Sequence, residues 1–229
     1  CVGFITPESI GYEDNVGNPR MVKTPWFNEE LPFVEAAEVG TEKVIKDHAT
    51  IGIVVTTDGT ILDMPRSNYI NAEDKVINEL KNINKPFIVV LNSKMPGSIE
   101  TRSLAKSLQE KHGVPVLPVS IEEMNESDMI NILQEALYEF PVDYIEFDIP
   151  DWVGILKANH PLKKVFIDKM KEVSVNVDKV RDVNKISINL EDCDEISNAY
   201  ISSLDTDNSE VTITLEAKDE LFDEILKEL

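Results

Sequence analysis

Three short and nearly continuous apolar runs constrain the fold of this chain more than any other feature. They occupy residues 51–57 (IGIVVTT), 86–92 (PFIVVLN) and 114–120 (VPVLPVS). Apolar runs of this length without alternation are typical of strands that are buried on both faces of a parallel sheet. Because stretches with helical spacing separate them, the chain is predicted to form a doubly wound α/β layer sandwich.

The segments between and after these runs carry the apolar stripes of amphipathic helices. Such a stripe repeats every three to four residues and packs on one side of a sheet. The stripes consist of Ala72, Val76, Ile77, Leu80 and Ile83, then Leu104 and Leu108, and then Met129, Ile130, Leu133 and Leu137.

The pattern changes after residue 142. Residues 143–149 (DYIEFDI) alternate between apolar and polar, as a half-exposed strand does. Two helical stretches follow, and the chain ends in an amphipathic helix; between them, KISINL (185–190), AYISSL (199–204) and VTITLEA (211–217) are interpreted as strands of an antiparallel sheet. We therefore predict two domains, residues 1–142 and an acidic α+β domain of residues 143–229.

The net charge of −21 restricts the partners of the protein. A field of this sign repels the phosphates of nucleic acids and anionic lipids, so direct binding to either is not expected. The acidic surface has two interpretations. It maintains solubility, or it selects cationic partners.

Other residue types exclude further classes of protein. No apolar run approaches the roughly 20 residues of a membrane helix, and no segment has the pattern of a signal peptide. Two cysteines, Cys1 and Cys193, indicate reduced thiols, with a single disulfide left open. The three histidines are far apart and lack ligand spacing, so no metal site is predicted. Trp26 and Trp152 are interpreted as packing or interface residues.

Small polar residues follow each of the three apolar runs. They are Thr56-Thr57-Asp58-Gly59, Asn92-Ser93 and Ser120. In open α/β sheets, ligands bind beyond the carboxyl ends of the strands, and such side chains can hydrogen-bond a nucleotide. The same residue types also dominate ordinary turns. Asp58 in particular is interpreted as a turn residue, with a carboxylate that supports the site as the alternative.

The segment Asn92-Ser93-Lys94-Met95-Pro96 resembles the base-reading loop of small GTPases, which is Asn-Lys-x-Asp. Here the Asn is present, but Lys94 is one position late and no Asp follows. The carboxylate that accepts two hydrogen bonds from guanine is therefore missing, and with it the basis for choosing guanine.

The chain contains no G-x-x-x-x-G-K-[ST] phosphate loop. It begins at Cys1-Val2-Gly3, which matches the end of an Asp-x-x-Gly box if Asp precedes it. We therefore expect this chain to be a fragment that begins inside a motif.

Three long segments resemble the stage IV sporulation protein A family, the spore-coat morphogenetic ATPases of endospore-forming bacteria. They are residues 11–45 (GYEDNVGNPRMVKTPWFNEELPFVEAAEVGTEKVI), 50–61 (TIGIVVTTDGTI) and 126–142 (ESDMINILQEALYEFPV). The resemblance implies a GTPase-like (P-loop NTPase) fold that hydrolyses ATP, here N-terminally incomplete. It places the phosphate loop, the Mg²⁺ site and the catalytic residues upstream of Cys1.

The resemblance also implies nucleotide-binding roles for four residues. Gly3 would sense the γ-phosphate, and Asn92 would brace the base-binding loop. Ser93 matches the family pattern Asn-Ser-x-x-Pro, and Ser120 takes the place where related domains line the base.

The family further implies self-assembly into a polymer, contacts with other spore-coat proteins, and a small cationic amphipathic membrane-anchoring sporulation peptide as partner. The expected place is the mother-cell cytoplasm at the forespore surface. A non-catalytic interaction module built on a GTPase-like scaffold is the alternative. Because the phosphate loop is missing, these 229 residues alone are predicted to be inactive.

Overall fold

The computed structural model describes residues 3, 5–6, 9–14, 16–191 and 193–228. The chain divides into two compact units, Cys1–Ala136 and Leu137–Leu229. The domain boundary predicted from the sequence, after residue 142, lies a few residues further along the chain. Within the described ranges, no helix combines the length and the apolar character needed to cross a membrane.

The first unit opens with a short antiparallel pair, β1 (Met21–Val22) and β2 (Leu31–Pro32). Helix α1 (Phe33–Lys43) follows directly and continues as a π-helical turn, Val44–His48. A Cβ added to Gly40 would lie 3.4 Å from the ring of Trp26. Trp26 therefore packs closely against α1, as predicted.

A three-stranded parallel sheet follows, and its elements confirm the predicted alternation of strands and helices. The strand order is β3-β4-β5, with α2 and α3 as the crossovers and α4 after β5. The bounds are β3 (Gly52–Thr57), α2 (Ser67–Asn82), β4 (Phe87–Asn92), α3 (Ile99–His112), β5 (Val116–Val119) and α4 (Glu126–Leu137).

The central strand β4 has a hydrophobic layer on each face. Val89 and Leu91 belong to the cluster formed with α2 and α3, whereas Ile88 and Val90 belong to the cluster formed with α4. All four side chains are almost completely buried. Because helices cover both faces of β4, the sheet is doubly wound, as predicted.

Burial on both faces, predicted for all three strands, is right for β4 and wrong for β3. Val54 and Thr56 of β3 are buried, but Ile53 and Val55 are 44% and 58% exposed. β3 is the edge strand of this sheet, and α4 packs over β4 rather than over β3. The edge position therefore leaves every second side chain of β3 at the surface of the described unit.

The second unit contains a mixed sheet with the order β6-β8-β7. β8 pairs antiparallel with β7, as predicted, and pairs parallel with β6. A parallel neighbour requires a long crossover, and three helices and β7 lie between β6 and β8. The bounds are β6 (Tyr144–Asp148), α5 (Asp151–Ile155), α6 (Pro161–Val173), α7 (Val180–Glu191), β7 (Ile196–Asp205), β8 (Glu210–Ala217) and α8 (Asp219–Glu228).

Residues 185–190 belong to α7 and do not form the predicted strand. The letters KISINL alternate with a period of two, which favours a strand. Val183, Ile186 and Leu190 also follow a period of three to four, and all three are buried. Burial of this stripe stabilises the helix, so the longer period decides the structure.

Candidate functional site

The carboxyl ends of β3, β4 and β5 lie side by side in the first unit. In the parallel register, Thr57 pairs with Asn92, and Asn92 pairs with Val119. The polar residues that follow the three strands therefore meet at one edge of the sheet, where open α/β folds bind their ligands. The sequence predicted this convergence.

Asp58, the first residue after β3, accepts three hydrogen bonds at this edge. Its Oδ1 accepts the Thr60 amide at 3.0 Å and the Thr60 hydroxyl at 2.6 Å. Its Oδ2 accepts the hydroxyl of Thr101, on α3, at 3.0 Å. Burial raises the pKa of the Asp58 carboxyl, but hydrogen bonds from Ser93, Thr60 and Thr101 outweigh burial and hold the pKa below its ordinary value.

The loop after β4 is held by hydroxyl groups from two directions. The Lys94 amide donates to the Thr60 hydroxyl at 3.0 Å, and the Met95 amide donates to the Ser93 hydroxyl at 3.0 Å. Ser93 is completely buried, and its oxygen lies 3.3 Å from the hydroxyl of Thr101. The Ser93 side chain thus faces the interior and supports the loop, and its role in nucleotide binding stays a prediction.

Asn92 joins the β4 loop to the β5 loop. Its Oδ1 accepts the Ile121 amide at 3.0 Å, next to Ser120. The Ser120 hydroxyl in turn accepts the Glu123 amide at 3.4 Å and is partly exposed. This geometry suits the bracing role expected of Asn92, and contact of either residue with a nucleotide stays a prediction.

A cavity of about 310 Å³ opens beside these loops. The loop after β3, the loop after β4 and the first turns of α3 form its walls. The lining residues are Asp58, Thr60, Ser93, Met95, Ser98, Glu100, Thr101 and Leu104.

Arg66 connects α2 to the same edge. Its guanidinium lies 2.6 Å from Glu73 Oε1 and donates to the Thr56 hydroxyl at 3.3 Å. Glu73 is 1% exposed and Arg66 is 18% exposed, so the ion pair is largely removed from water. The pair fixes the start of α2 against the end of β3.

Gly3 lies in a different environment from the other three predicted site residues. Its carbonyl accepts the hydroxyl of Thr41, on α1, at 3.2 Å. Among the described residues, no hydrogen bond joins Gly3 to the carboxyl edge of the sheet. Cys1 and Val2 lie outside the described residues, so the predicted remnant of an Asp-x-x-Gly box stays a prediction.

One histidine lies beside carboxylates, a grouping that the sequence spacing does not reveal. Glu73, Asp74 and His112 offer ligand atoms within 4.8 Å of one another. Each carboxylate already faces a cation, since Lys111 Nζ lies 2.6 Å from Asp74 and Arg66 lies 2.6 Å from Glu73. Burial, reinforced by the charge of Lys111, lowers the pKa of His112. The nearby cations oppose the binding of a metal ion here.

Sequence reasoning missed Thr60 and Thr101 and interpreted Asp58 as a turn residue. Asp58 does start a turn with Thr60, but it also reaches Thr101, which lies 43 positions further along the chain. Asp58 and Thr60 closely follow the end of a predicted strand, and this proximity was the available signal, whereas Thr101 lies within α3. The pairing itself requires the structure.

Two family models together cover the chain. The model described as stage IV sporulation protein A, ATPase domain, matches residues 1–141, and the model of the middle domain matches residues 142–229. The chain belongs to the stage IV sporulation protein A family. This confirms the resemblance found in the sequence.

Curated relatives with the name stage IV sporulation protein A match over the whole chain. The identity is 46% for Bacillus subtilis (strain 168) and 43% for Bacillus anthracis, each over 229 residues, and 40% over 228 residues for Clostridioides difficile (strain 630). The chain spans 46% of the length of each relative. No solved structure matches it. A role in sporulation and an ATPase domain are thus properties of the family to which the chain belongs.

Proposed function

We propose that the protein to which this chain belongs hydrolyses ATP and uses hydrolysis to drive its self-assembly into the basement layer of the spore coat. The observation that carries the proposal is the carboxyl edge of the first unit. There, the Asn92-Ser93 loop is tied both to the loop after β3 and to the loop after β5. Family membership supplies the ATPase class.

The first unit would hold the adenine base, while Mg²⁺ and the phosphates would be held by a phosphate loop outside these residues. Positioning and charge stabilisation supply nearly all the catalysis of phosphoryl transfer, so base contacts alone give no turnover. Purified residues 1–229 should therefore release no phosphate above background. The full-length protein should release it, and only with Mg²⁺.

Base choice gives a direct test of this site. The loop Asn92-Ser93-Lys94 lacks the carboxylate that reads guanine, so the full-length protein should not prefer GTP to ATP. Competition binding measures the ratio of the two affinities. A preference for GTP above about tenfold, which corresponds to roughly 1.4 kcal/mol, contradicts the proposal.

A variant at Asn92 tests whether this edge is the site. Asn92→Ala removes the acceptor of the Ile121 amide, and a hydrogen bond of this kind contributes about 0.5–1.5 kcal/mol. The affinity of the full-length protein for ATP should fall by about threefold to tenfold. Asn159→Ala, at an exposed position of the second unit, is the control and should leave the affinity unchanged.

The charge of the chain supports a cationic partner at the forespore membrane. Each lysine or arginine near an anionic leaflet gains about 1 kcal/mol, whereas a chain of net charge −21 is repelled by that leaflet. We expect a small cationic amphipathic peptide to anchor the polymer on the mother-cell side of the forespore. Flotation with anionic vesicles, with and without such a peptide, tests this. Strong, salt-sensitive binding of the full-length protein to bare vesicles contradicts it.

A further inference from the structure

We propose that Asp58 is a positioning residue for nucleotide recognition, holding the loop Ser93-Lys94-Met95 from behind through Thr60 and Thr101. The inference rests on the proposed function, because the loop matters only if it meets the base. Asp58 lies directly after β3, so the inference places a carboxylate behind a loop that contains none of its own.

Two chains of hydrogen bonds end on the Asp58 carboxylate. In the first, the Lys94 amide donates to the Thr60 hydroxyl, which donates to Asp58 Oδ1 at 2.6 Å. In the second, the Ser98 hydroxyl donates to Thr101, and the Thr101 hydroxyl donates to Asp58 Oδ2 at 3.0 Å. Each hydroxyl both accepts and donates, so Asp58 determines the direction of both chains.

A carboxylate is required at this position because both of its oxygens accept. An asparagine side chain offers one accepting oxygen and one donating nitrogen. The nitrogen cannot accept from either threonine hydroxyl. Asp58→Asn therefore breaks one of the two chains, although the size of the side chain is unchanged.

The surroundings favour the charged form of Asp58. Thr101 lies in the first turn of α3, and Ser98 caps that helix by accepting the Thr101 amide at 3.1 Å. The start of a helix carries a partial positive charge, which stabilises a nearby carboxylate. The hydrogen bonds also keep the pKa of Asp58 below its ordinary value, so it is ionised at neutral pH.

Two residues of the anchored loop, Lys94 and Met95, present their side chains to solvent, whereas Ser93 is buried. The amides of Lys94 and Met95 are fixed by the hydroxyls of Thr60 and Ser93. The Met95 side chain is 65% exposed and lies at the cavity beside the loop. Fixed amides with exposed side chains are suited to hold a base, because the loop has little conformational freedom left to lose on binding.

The test compares two ligands of the full-length protein, ATP and inorganic tripolyphosphate, which lacks the base. Asp58→Asn should weaken ATP binding by about tenfold or more and change tripolyphosphate binding by less than about twofold. Thr60→Val should act in the same direction, since it removes the hydroxyl that joins Asp58 to Lys94. Thr60→Ser keeps that hydroxyl and should restore ATP affinity.

Asp63→Asn is the matched control, because Asp63 is an exposed carboxylate of the same loop. It should change neither affinity. Equal loss of both ligands in Asp58→Asn and Thr60→Val would mean that Asp58 is merely structural, and unchanged ATP affinity in both variants would overturn the inference alone. A full-length wild-type protein that binds no ATP would overturn the proposed function and this inference with it.

Discussion

Among the residues that the structure describes, each of the two units buries one glutamate, and the two glutamates are held differently. In the first unit, Glu73 pairs with a single cation, Arg66, and its Oε2 has no hydrogen-bond partner among the described residues. In the second unit, both oxygens of Glu139 pair with cations, at 2.6 Å from Lys179 and 2.5 Å from Arg181. Both carboxylates are at most 3% exposed.

The cations show what each glutamate does. Arg66 is mostly buried and continues to Thr56 at the end of β3, so Glu73 orients a side chain beside the candidate site. The side chains of Lys179 and Arg181 are 39% and 34% exposed, and the two residues flank the start of α7. A buried carboxylate therefore indicates a functional edge only where its cation reaches the polar ends of strands.

The largest expected effect is the loss of Arg66. Arg66→Met leaves the Glu73 carboxylate buried without a counter-ion, and breaking a buried pair costs about 3–5 kcal/mol. We expect a loss near the lower end of that range, about 3 kcal/mol, because Arg66 is partly exposed. Chemical denaturation measures it. The control Lys106→Met removes the cation of the ion pair between Lys106 and Glu110, whose side chains are 79% and 70% exposed. It should cost less than about 0.5 kcal/mol.

A smaller loss is expected from the corresponding change in the second unit. Glu139→Gln removes the charge that pairs with Lys179 and Arg181, but both cations can regain water. We expect a loss of about 2 kcal/mol in the free energy of unfolding. Glu146→Gln changes an exposed carboxylate of β6 and serves as the control. If Glu139→Gln proves costlier than Arg66→Met, cation exposure does not govern the difference between the units.

The sequence could predict which strands form and which ends they share. The apolar runs at 51–57, 86–92 and 114–120 predict the strands of a parallel sheet, and parallel strands place their carboxyl ends at one edge. Asn92 and Ser120 are therefore neighbours for a reason that needs no structure. The hydrogen bond from the Ile121 amide to Asn92 shows that the loops after β4 and β5 are in contact.

Other features could not be predicted, because they depend on distant parts of the chain. Thr101 binds Asp58 only because α3 begins beside the end of β3, and no periodicity encodes that contact. The segment KISINL satisfies a period of two and a period of three to four, and burial of Val183 within α7 decides between them. Burial belongs to the folded chain rather than to the local pattern.

One glycine of each unit extends the comparison to the backbone. Gly59 has φ +93°, and an added Cβ would lie 3.1 Å from the Arg66 amide nitrogen. Gly59→Ala should cost about 1–2 kcal/mol of stability, since a strained backbone of this kind costs about 1–3 kcal/mol. Gly154, in α5, has open space around it, so Gly154→Ala should be neutral or stabilise by about 0.5 kcal/mol. Thermal unfolding of both variants measures the contrast.

The smallest expected effect compares two aspartates with a lowered pKa, Asp58 of the first unit and Asp182 of the second. Burial raises the pKa of Asp182, but hydrogen bonds from Lys185 and from the amides of Asp178 and Lys179 outweigh it and lower the pKa overall. A carboxyl with a depressed pKa stabilises the folded state fully above its unfolded pKa of about 3.9, and this contribution disappears as the pH falls through the folded value.

Asp182→Asn should therefore destabilise the protein at pH 7, by less than Arg66→Met, Glu139→Gln or Gly59→Ala. The difference in stability from wild type should shrink at about pH 3 or below. Asn still offers an oxygen to the amides before α7, which limits the loss. Denaturation at both pH values measures it, with Asp168→Asn at an exposed position of α6 as control.

ATP affinity should be unchanged in Asp182→Asn and reduced in Asp58→Asn. Equal ATP affinity in the two variants would place the Asp58 network with the structural carboxylates of the second unit, because only a group that orients the base loop can affect binding separately from stability.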